Sequence, residues 1–163
     1  MLFRSRDAFD GGEPETVIEV RPEDIANTLA RLSTAPDGTA LTAVCLGTPH
    51  FSIAEWERLL AALPDPGTQT PRVPIYVNTD RKTLARIEAD TRFDTIRRNG
   101  LVVVTDTCTY LTPILERLDG VVMTNSGKWA HYAPGNLGVN VAFGELEECV
   151  ASAFAGQVVR VTR

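Results

Sequence analysis

Five short polar clusters hold most of the side chains in this sequence that could bind or react with a ligand. Each follows a short apolar run typical of a β-strand, so each is predicted to form a strand-to-helix loop. In an open α/β sheet these loops emerge together at the carboxyl edge, where ligands bind. The clusters are residues 47–50, 78–81, 105–108, 124–128 and 143–149. Sequence order alone therefore predicts one shared site with three cysteines, a histidine, a lysine and several hydroxyl groups.

The three cysteines, Cys45, Cys108 and Cys149, admit three interpretations. They are an odd number, lie far apart and form no CxxC pair, which disfavours a disulfide framework or a zinc finger. Buried inert thiols, a catalytic thiol and metal ligands gathered from distant loops remain. Three thiolates at one sheet edge could hold an iron–sulfur cluster whose open iron acts as a Lewis acid. Their spacing matches no ferredoxin-like motif.

A thiolate–imidazole pair is a second possible chemistry, with Cys108 and either His50 or His131 as its members. Asp106 could orient the imidazole. The alternative is structural, because an Asp-Thr-Cys sequence after a strand also suits a helix cap above a buried thiol, and either histidine could be a packing residue. The sequence leaves both readings open.

The loop Ser126-Gly127-Lys128 is similar to a phosphate-binding loop but lacks its spacing. A Walker A motif needs a glycine where Val122 stands and a serine or threonine where Trp129 stands, so ATP binding is disfavoured. The lysine and serine could instead bind a carboxylate or move a proton. An ordinary turn with a solvated lysine is the alternative.

Composition limits the function classes. The chain has 163 residues, a net charge of −5, 44% hydrophobic residues and 23% charged residues, as in an ordinary globular domain. Lys and Arg are scattered, which predicts no nucleic-acid binding. No apolar stretch is long enough to span a membrane, and residues 1–12 are too polar for a secretory signal. We expect a cytoplasmic protein.

Alternating strands and helices predict an α/β fold, a three-layer sandwich with a mostly parallel sheet. Residues 1–14 are predicted to be a loose leader and residues 15–163 a single domain. The run at 101–104 has the β-branched composition of a central strand, and residues 129–137 contain Pro and Gly and suggest an irregular segment. Strands are predicted at 15–20, 41–46, 73–77, 101–104, 121–123, 139–143 and 158–161, and helices from residues 22, 52, 80, 93 and 145.

Four motifs in collinear order give the chain a family resemblance. They are Cys45-Leu-Gly-Thr-Pro-His-Phe-Ser52 followed by Glu55, then Asp106-Thr-Cys108, Thr124-Asn-Ser-Gly-Lys-Trp-Ala-His-Tyr132 and Glu148-Cys149. From about Val20 to its end, the chain resembles the C-terminal part of the catalytic subunit of the aconitase X family. The resemblance implies an aconitase-like α/β domain and an iron–sulfur-dependent hydro-lyase. Members of this family dehydrate cis-3-hydroxy-L-proline in bacteria or mevalonate 5-phosphate in archaea.

The resemblance also implies partners and residue roles. The partners would be a small hydroxy-carboxylate substrate, the remainder of the catalytic subunit and a small swivelling domain. The hydroxyproline substrate is favoured, since the chain has no clear phosphate-binding cluster. A non-catalytic binding domain and a Cys–His hydrolase remain as rivals. The expected roles are cluster ligation by Cys108, Cys149 and Cys45, catalysis by Ser126, Lys128 and His50, and substrate binding by Thr48, Asp106, Asn125, His131 and Arg81.

Overall fold

The computed structural model describes residues 12–13 and 15–160. Most of the predicted leader, residues 1–11 and 14, lies outside the described residues. The described strands are β1 (Leu41–Phe51), β2 (Ile75–Thr79), β3 (Val102–Thr105), β4 (Val121–Thr124) and β5 (Asn140–Phe143). The described helices are α1 (Pro22–Leu32), α2 (Ile53–Ala62), α3 (Arg81–Glu88), α4 (Phe93–Arg98), α5 (Gly127–Leu137) and α6 (Leu146–Ala155). Within the described ranges, no helix has the length and apolar character needed to cross a membrane.

The five strands form one parallel sheet in the order β3-β2-β1-β4-β5. This confirms the predicted α/β class. All five carboxyl ends meet at one edge, as the order of the polar clusters predicts. Successive connections run outward from β1 to β2 and β3, then return to β4 on the other side of β1. The strand order therefore reverses beside β1, the position at which ligands bind in open α/β sheets.

Helices and a long loop cover the two faces of the sheet and enclose two apolar cores. Alternate residues of β1 point to opposite faces, so Val44 and Leu46 lie in one core while Cys45 lies in the other. Residues of α2, α3, α4 and α6 cover the first core. Helix α5 and residues 108–115 cover the second, around the fully buried Trp129.

Two helix starts beside the carboxyl edge were predictable from local sequence. Ser52 accepts a hydrogen bond from the Glu55 N–H at 3.4 Å and its own N–H donates to the Glu55 carboxylate at 2.8 Å, forming a capping box. Phe51 packs edge-on against Trp56 with 5.7 Å between ring centroids. Asp80 caps α3 by accepting from the N–H groups of the second and third helical residues.

Two predicted strands at the ends of the chain are wrong. Residues 15–20 have no regular structure and join no strand, and Val17 and Ile18 are 79% and 82% exposed. Of the segment 158–161, residue 161 lies outside the described part of the chain. The remainder is not a strand: the tail approaches residues 38–40 through one isolated bridge, Ala40 to Gln157, and two bonds of Val158. A run of apolar residues forms a strand only where its backbone pairs with a neighbouring strand, and neither segment does so in its described residues.

Three further expectations are corrected inside the domain. β3 is an edge strand and not a central one, because it pairs only with β2. β1 continues through residues 47–51, which the sequence predicted as a loop. Residues 127–137 form a helix despite Pro134, whose ring removes one bond to the carbonyl of Ala130 while the rest of the helix is kept, and Gly138 ends it at φ +72°.

Candidate functional site

A cavity of about 430 Å³ opens at the carboxyl ends of β1, β2 and β3. Three of the five sequence-predicted clusters contribute to it, which confirms that these loops converge. Its lining combines an imidazole, two carboxylates, a hydroxyl and a thiol with one apolar side chain. The lining residues are His50, Asp80, Asp106, Thr107, Cys108 and Leu111.

His50 and Asp80 form the side of the cavity nearest α2 and α3. His50 is the penultimate residue of β1 and is exposed, so its ring is available to a ligand. Asp80 is occupied as a helix cap: it accepts from the Lys82 and Thr83 N–H groups at 2.8 and 2.9 Å and from the Thr83 hydroxyl at 2.7 Å. Bonds from Thr83 are the main reason that its pKa is lowered, and the nearby His50 adds to the effect. Asp80 is therefore an anion at neutral pH.

Asp106 lies at the rim of the cavity in an uncommon backbone conformation. Its φ is +64°, and among the described residues it is the only one other than glycine with a positive φ. The Arg81 Nε donates to the Asp106 carboxylate at 2.6 Å. The side chain of Asp106 is 51% exposed and that of Arg81 is 79% exposed. A pair this exposed contributes little to stability. It does place the guanidinium of Arg81 beside a carboxylate that lines the cavity, and the sequence predicts substrate contacts by both residues.

The side chain of Asn78 ties the cavity loops together. It is fully buried at the end of β2, and its Nδ2 donates to the Thr107 carbonyl at 2.8 Å. Its Oδ1 accepts longer bonds from the hydroxyls of Thr48 at 3.4 Å and Thr109 at 3.5 Å. One amide thus links the strand that carries His50 to the loop that carries Cys108. Sequence analysis included Asn78 in a polar cluster without assigning it a role.

A second set of contacts joins β1 to the loop after β4, at the point where the strand order reverses. Asn125 accepts from the Gly47 N–H at 3.3 Å. The Ser126 hydroxyl donates to the Thr48 carbonyl at 2.6 Å and accepts from the Trp129 N–H at 3.2 Å as the cap of α5. The predicted residues Thr48, Asn125 and Ser126 therefore do come together. The Ser126 hydroxyl is already used in two bonds that hold this loop against β1.

Lys128 and His131 lie on α5 outside the cavity. Lys128 is exposed in the first turn of the helix, next to the Ser126 cap. His131 is exposed one turn further along, and its ring contacts Tyr132 edge-on with 4.8 Å between centroids. Tyr132 in turn stacks on Tyr110 of the segment after β3. Contact with a ligand in the cavity requires a molecule that extends across the end of β1 towards α5.

The three cysteines do not converge, which corrects the expectation of one shared thiol site. Cys45 and Cys149 are fully buried in the two different cores, on opposite faces of the sheet. Burial raises the pKa of Cys45 to about 12 and that of Cys149 well above its ordinary value, so both are neutral thiols in this arrangement. Among residues 12–13 and 15–160, no group of three His, Cys, Asp or Glu side chains could hold a metal ion. These residues therefore do not fit an iron–sulfur cluster held by Cys45, Cys108 and Cys149.

Cysteine accessibility gives a direct check of this arrangement. We expect iodoacetamide at pH 8 to label Cys108 in the folded protein and to leave Cys45 and Cys149 unmodified, because only Cys108 is partly exposed. The contrast should exceed about 100-fold in rate, since alkylation requires an accessible thiolate. Mass spectrometry of tryptic peptides measures it, with urea-unfolded protein, in which all three thiols react, as the control. Rapid native labelling of Cys45 or Cys149 would contradict the two-core description.

The chain was compared with known protein families and sequences. Residues 41–155 match the family model described as the aconitase X third domain. A cis-3-hydroxy-L-proline dehydratase from Pseudomonas aeruginosa is 36% identical over 152 residues, which are 92% of this chain and 26% of that protein. A phosphomevalonate dehydratase large subunit from Methanosarcina mazei is 32% identical over 114 residues, or 70% of this chain and 27% of that protein. The chain thus spans about a quarter of the length of the curated relatives it matches.

A solved structure shares the fold. The crystal structure of Thermococcus kodakaraensis aconitase X in its holo-form aligns with a TM-score of 0.70 and 24% identity. The alignment covers 83% of this chain and 34% of that one. At this identity the likeness concerns the arrangement of the sheet and its helices, and it agrees with the three-layer α/β fold predicted from sequence.

Proposed function

The chain belongs to the aconitase X family, and on that premise we propose that it is the third domain of a dehydratase that removes water from a small hydroxy-carboxylate. One observation carries the proposal. The ends of three parallel strands place His50, Asp106 and Cys108 around a single cavity at the edge where such sheets bind ligands. Activity, substrate and partners belong to the whole enzyme, in which this domain forms one wall of the substrate site. We place that enzyme in the cytoplasm.

We propose cis-3-hydroxy-L-proline as the substrate in preference to mevalonate 5-phosphate. A phosphate group calls for free cations or several convergent N–H donors. Arg81 at the cavity entrance is paired with Asp106 at 2.6 Å, and the carboxylate of Asp80 is already occupied in capping α3. These groups suit a small zwitterion, which carries one carboxylate and one ammonium, better than a doubly charged phosphate. The greater identity and coverage of the Pseudomonas relative support the same choice.

The reaction breaks two bonds of the substrate. A base takes the proton from the carbon next to the carboxylate, the hydroxyl group leaves from the adjacent carbon as water, and the resulting enamine tautomerises to a cyclic imine carboxylate. The exposed imidazole of His50 is assigned a hydrogen bond to the substrate. Lys128 and Asn125 are assigned to the carboxylate, with proton transfer by Lys128 or Ser126 as the alternative.

The remaining predicted contacts complete the pocket. Arg81 and Asp106 form its entrance. Thr48 lies between the cavity and α5, with its hydroxyl towards Asn78 and its carbonyl bound by Ser126. His131 is exposed on α5 and is placed to contact only that part of a ligand that extends from the cavity over this helix. The iron–sulfur cluster that the resemblance implies would need ligands other than the set Cys45, Cys108 and Cys149.

A second candidate function rests on the same cavity. His50 and Cys108 both line it, as a Cys–His hydrolase requires, with Asp106 beside them. The contacts of the described residues include no hydrogen bond between the imidazole and the thiol, which such enzymes use to activate the nucleophile. This candidate predicts that alkylating Cys108 abolishes activity towards an ester. The dehydratase proposal predicts no esterase activity to lose.

The test replaces the matching region of the Pseudomonas aeruginosa dehydratase with this chain. We expect the chimera to dehydrate cis-3-hydroxy-L-proline, measured as cyclic imine formation. The substitution His50→Ala should lower kcat/KM by about 10- to 100-fold, because a hydrogen bond to a charged group contributes about 1.5–3 kcal/mol.

Arg98→Ala serves as the matched control, since this exposed cation lies at the end of α4 and does not line the cavity. It should leave kcat/KM within about twofold. An assembled chimera that binds the substrate without turning it over would favour the non-catalytic binding domain. Equal activity of the His50→Ala chimera would remove His50 from the site.

A further inference from the structure

The segment before the sheet presents apolar side chains that the described chain does not cover. Ile25 and Leu29 of α1 are 54% and 43% exposed, and none of the residues of α1 is buried. The preceding segment adds Val17, Ile18 and Val20, each more than two thirds exposed. We call these five side chains the arm face. Several exposed large apolar side chains within a short segment mark a candidate interaction site.

The arm is anchored at one end and projects at the other. Leu32, the last residue of α1, packs against the core that contains Trp129. The next residues bind the free edge of β5: the Phe143 N–H donates to the Ser33 hydroxyl at 3.0 Å, and the Thr34 N–H donates to the Val141 carbonyl at 2.8 Å. Exposure of the apolar side chains rises from Leu29 towards residues 17–20, away from this anchor. The C-terminal end of α1 is therefore held against the sheet.

Residues 15–20 contain three apolar side chains that the described chain leaves exposed. Their sequence, Glu-Thr-Val-Ile-Glu-Val, is rich in the β-branched residues that favour a strand. Their backbone groups make no hydrogen bond to another segment of the described chain. An exposed apolar segment of this kind is suited to packing against, or pairing with, another surface.

The comparisons indicate which surface that is. The third-domain model begins at residue 41, so the arm lies outside the domain that the model describes. Similarity to the Pseudomonas dehydratase covers 92% of this chain and so includes most of the residues before Leu41. That relative is about four times as long as the part it shares with this chain. The arm is thus common to proteins that carry further domains.

We propose that the arm face docks onto an apolar surface of another domain of the same dehydratase. The inference rests on the proposed function, in which this chain is the third domain of a longer dehydratase. It concerns assembly and not chemistry, so its test measures binding without reference to turnover. A second copy of this chain is the competing occupant.

The test uses the full 163-residue chain, immobilised for biolayer interferometry. The probe is the part of the Pseudomonas aeruginosa dehydratase that this chain does not match, produced as a separate polypeptide. We expect binding by the wild-type chain and a loss of about 100-fold in affinity for Ile25→Asp combined with Leu29→Asp, since buried apolar anchors dominate such interfaces. The control is Leu118→Asp, because Leu118 is equally exposed at 41% and lies outside the arm face.

Three outcomes would overturn the proposal: equal binding by the double variant, no binding by the wild type, or a dimer of this chain that the double variant abolishes. Hydroxyl-radical footprinting of the chimera gives a second measurement that does not depend on the separate probe. Oxidation of Ile25 and Leu29 should fall at least fivefold relative to the isolated chain. A protected arm in an inactive chimera would support the interface and count against the dehydratase proposal, whereas an exposed arm in an active chimera would do the reverse.

Discussion

The substitution Gly47→Ala should lower the free energy of unfolding by about 3 kcal/mol. Gly47 lies in β1 with φ +79°, a conformation that costs alanine about 1–2 kcal/mol. Its added Cβ would also overlap Cδ1 of Phe51 and lie 2.6 Å from the backbone oxygen of Asn78. Neither neighbour can move easily, since Phe51 is 1% exposed and packs edge-on against Trp56, and the Asn78 backbone belongs to β2. Urea denaturation followed by tryptophan fluorescence measures the change.

Gly138→Ala separates the two contributions to this effect. Gly138 ends α5 at φ +72°, and a Cβ there would meet no atom within 4 Å. Only the conformational cost applies, so we expect a loss of about 1 kcal/mol. Equal losses at the two positions would show that β1 and β2 move apart to admit the methyl group. The close approach at Gly47 would then not be a constraint on the strand that carries His50.

Local signals made the helix starts beside the site predictable. The Ser52–Glu55 capping box and the Asp80 cap each involve residues within three positions of one another. Such bonds form within a single turn and depend little on the rest of the fold. The order of apolar runs and polar clusters likewise predicted a parallel sheet with its loops at one edge. These features together place His50, Asp106 and Cys108 near one another.

Position within the sheet was not predictable, because it depends on distant segments. The run at 101–104 has the composition of a central strand, yet β3 lies at an edge. Residues 108–115 cover one face of the sheet at this end and bury Val104, while Val102 remains 41% exposed. A β-branched composition therefore also occurs in an edge strand whose faces are partly covered by other segments. Pro134 misled in a similar way, since one missing bond near the end of a well-capped helix does not prevent the helix.

The order of the cysteines in the sequence predicts that they lie near one sheet edge, but it does not show the direction in which each side chain points. Cys45 lies in the apolar run of β1, where the alternation of side chains along the strand directs it into a core. Cys149 falls in the stripe Leu146, Val150 and Ala153 of α6, whose spacing is a signal of burial. That stripe predicts that the Cys149 side chain packs in the core. The linking role of Asn78 carried no such signal, because its partners, Thr48, Thr107 and Thr109, lie about 30 residues away along the chain.

Asn78→Asp should have the largest effect on stability, a loss of about 3–5 kcal/mol at pH 7. The new carboxylate matches the amide in shape and still accepts from the hydroxyls of Thr48 and Thr109. It cannot donate to the Thr107 carbonyl, and its second oxygen would face that carbonyl across the present 2.8 Å contact. Position 78 is 0% exposed, so the charge would be buried without a cation. Urea denaturation of the full chain measures the loss.

The pH dependence of this loss tests its cause. Burial raises the pKa of the new carboxyl group in the folded state above its unfolded value of about 3.9. A raised folded pKa means that the penalty is absent below the unfolded pKa and grows as pH rises towards the folded one. At pH 4 the protonated group can donate to the Thr107 carbonyl as the amide does, so the deficit relative to wild type should fall by at least half.

Asn140→Asp provides the control for pH and for the chemical change, because Asn140 is exposed at the start of β5. It should cost less than about 0.5 kcal/mol at either pH. A deficit at position 78 that stays constant between pH 7 and pH 4 would mean that geometry and not charge destabilises the variant. The bond to Thr107 would then not be what holds the β1 and β3 loops around the cavity, and the positions of His50 and Cys108 would need another explanation.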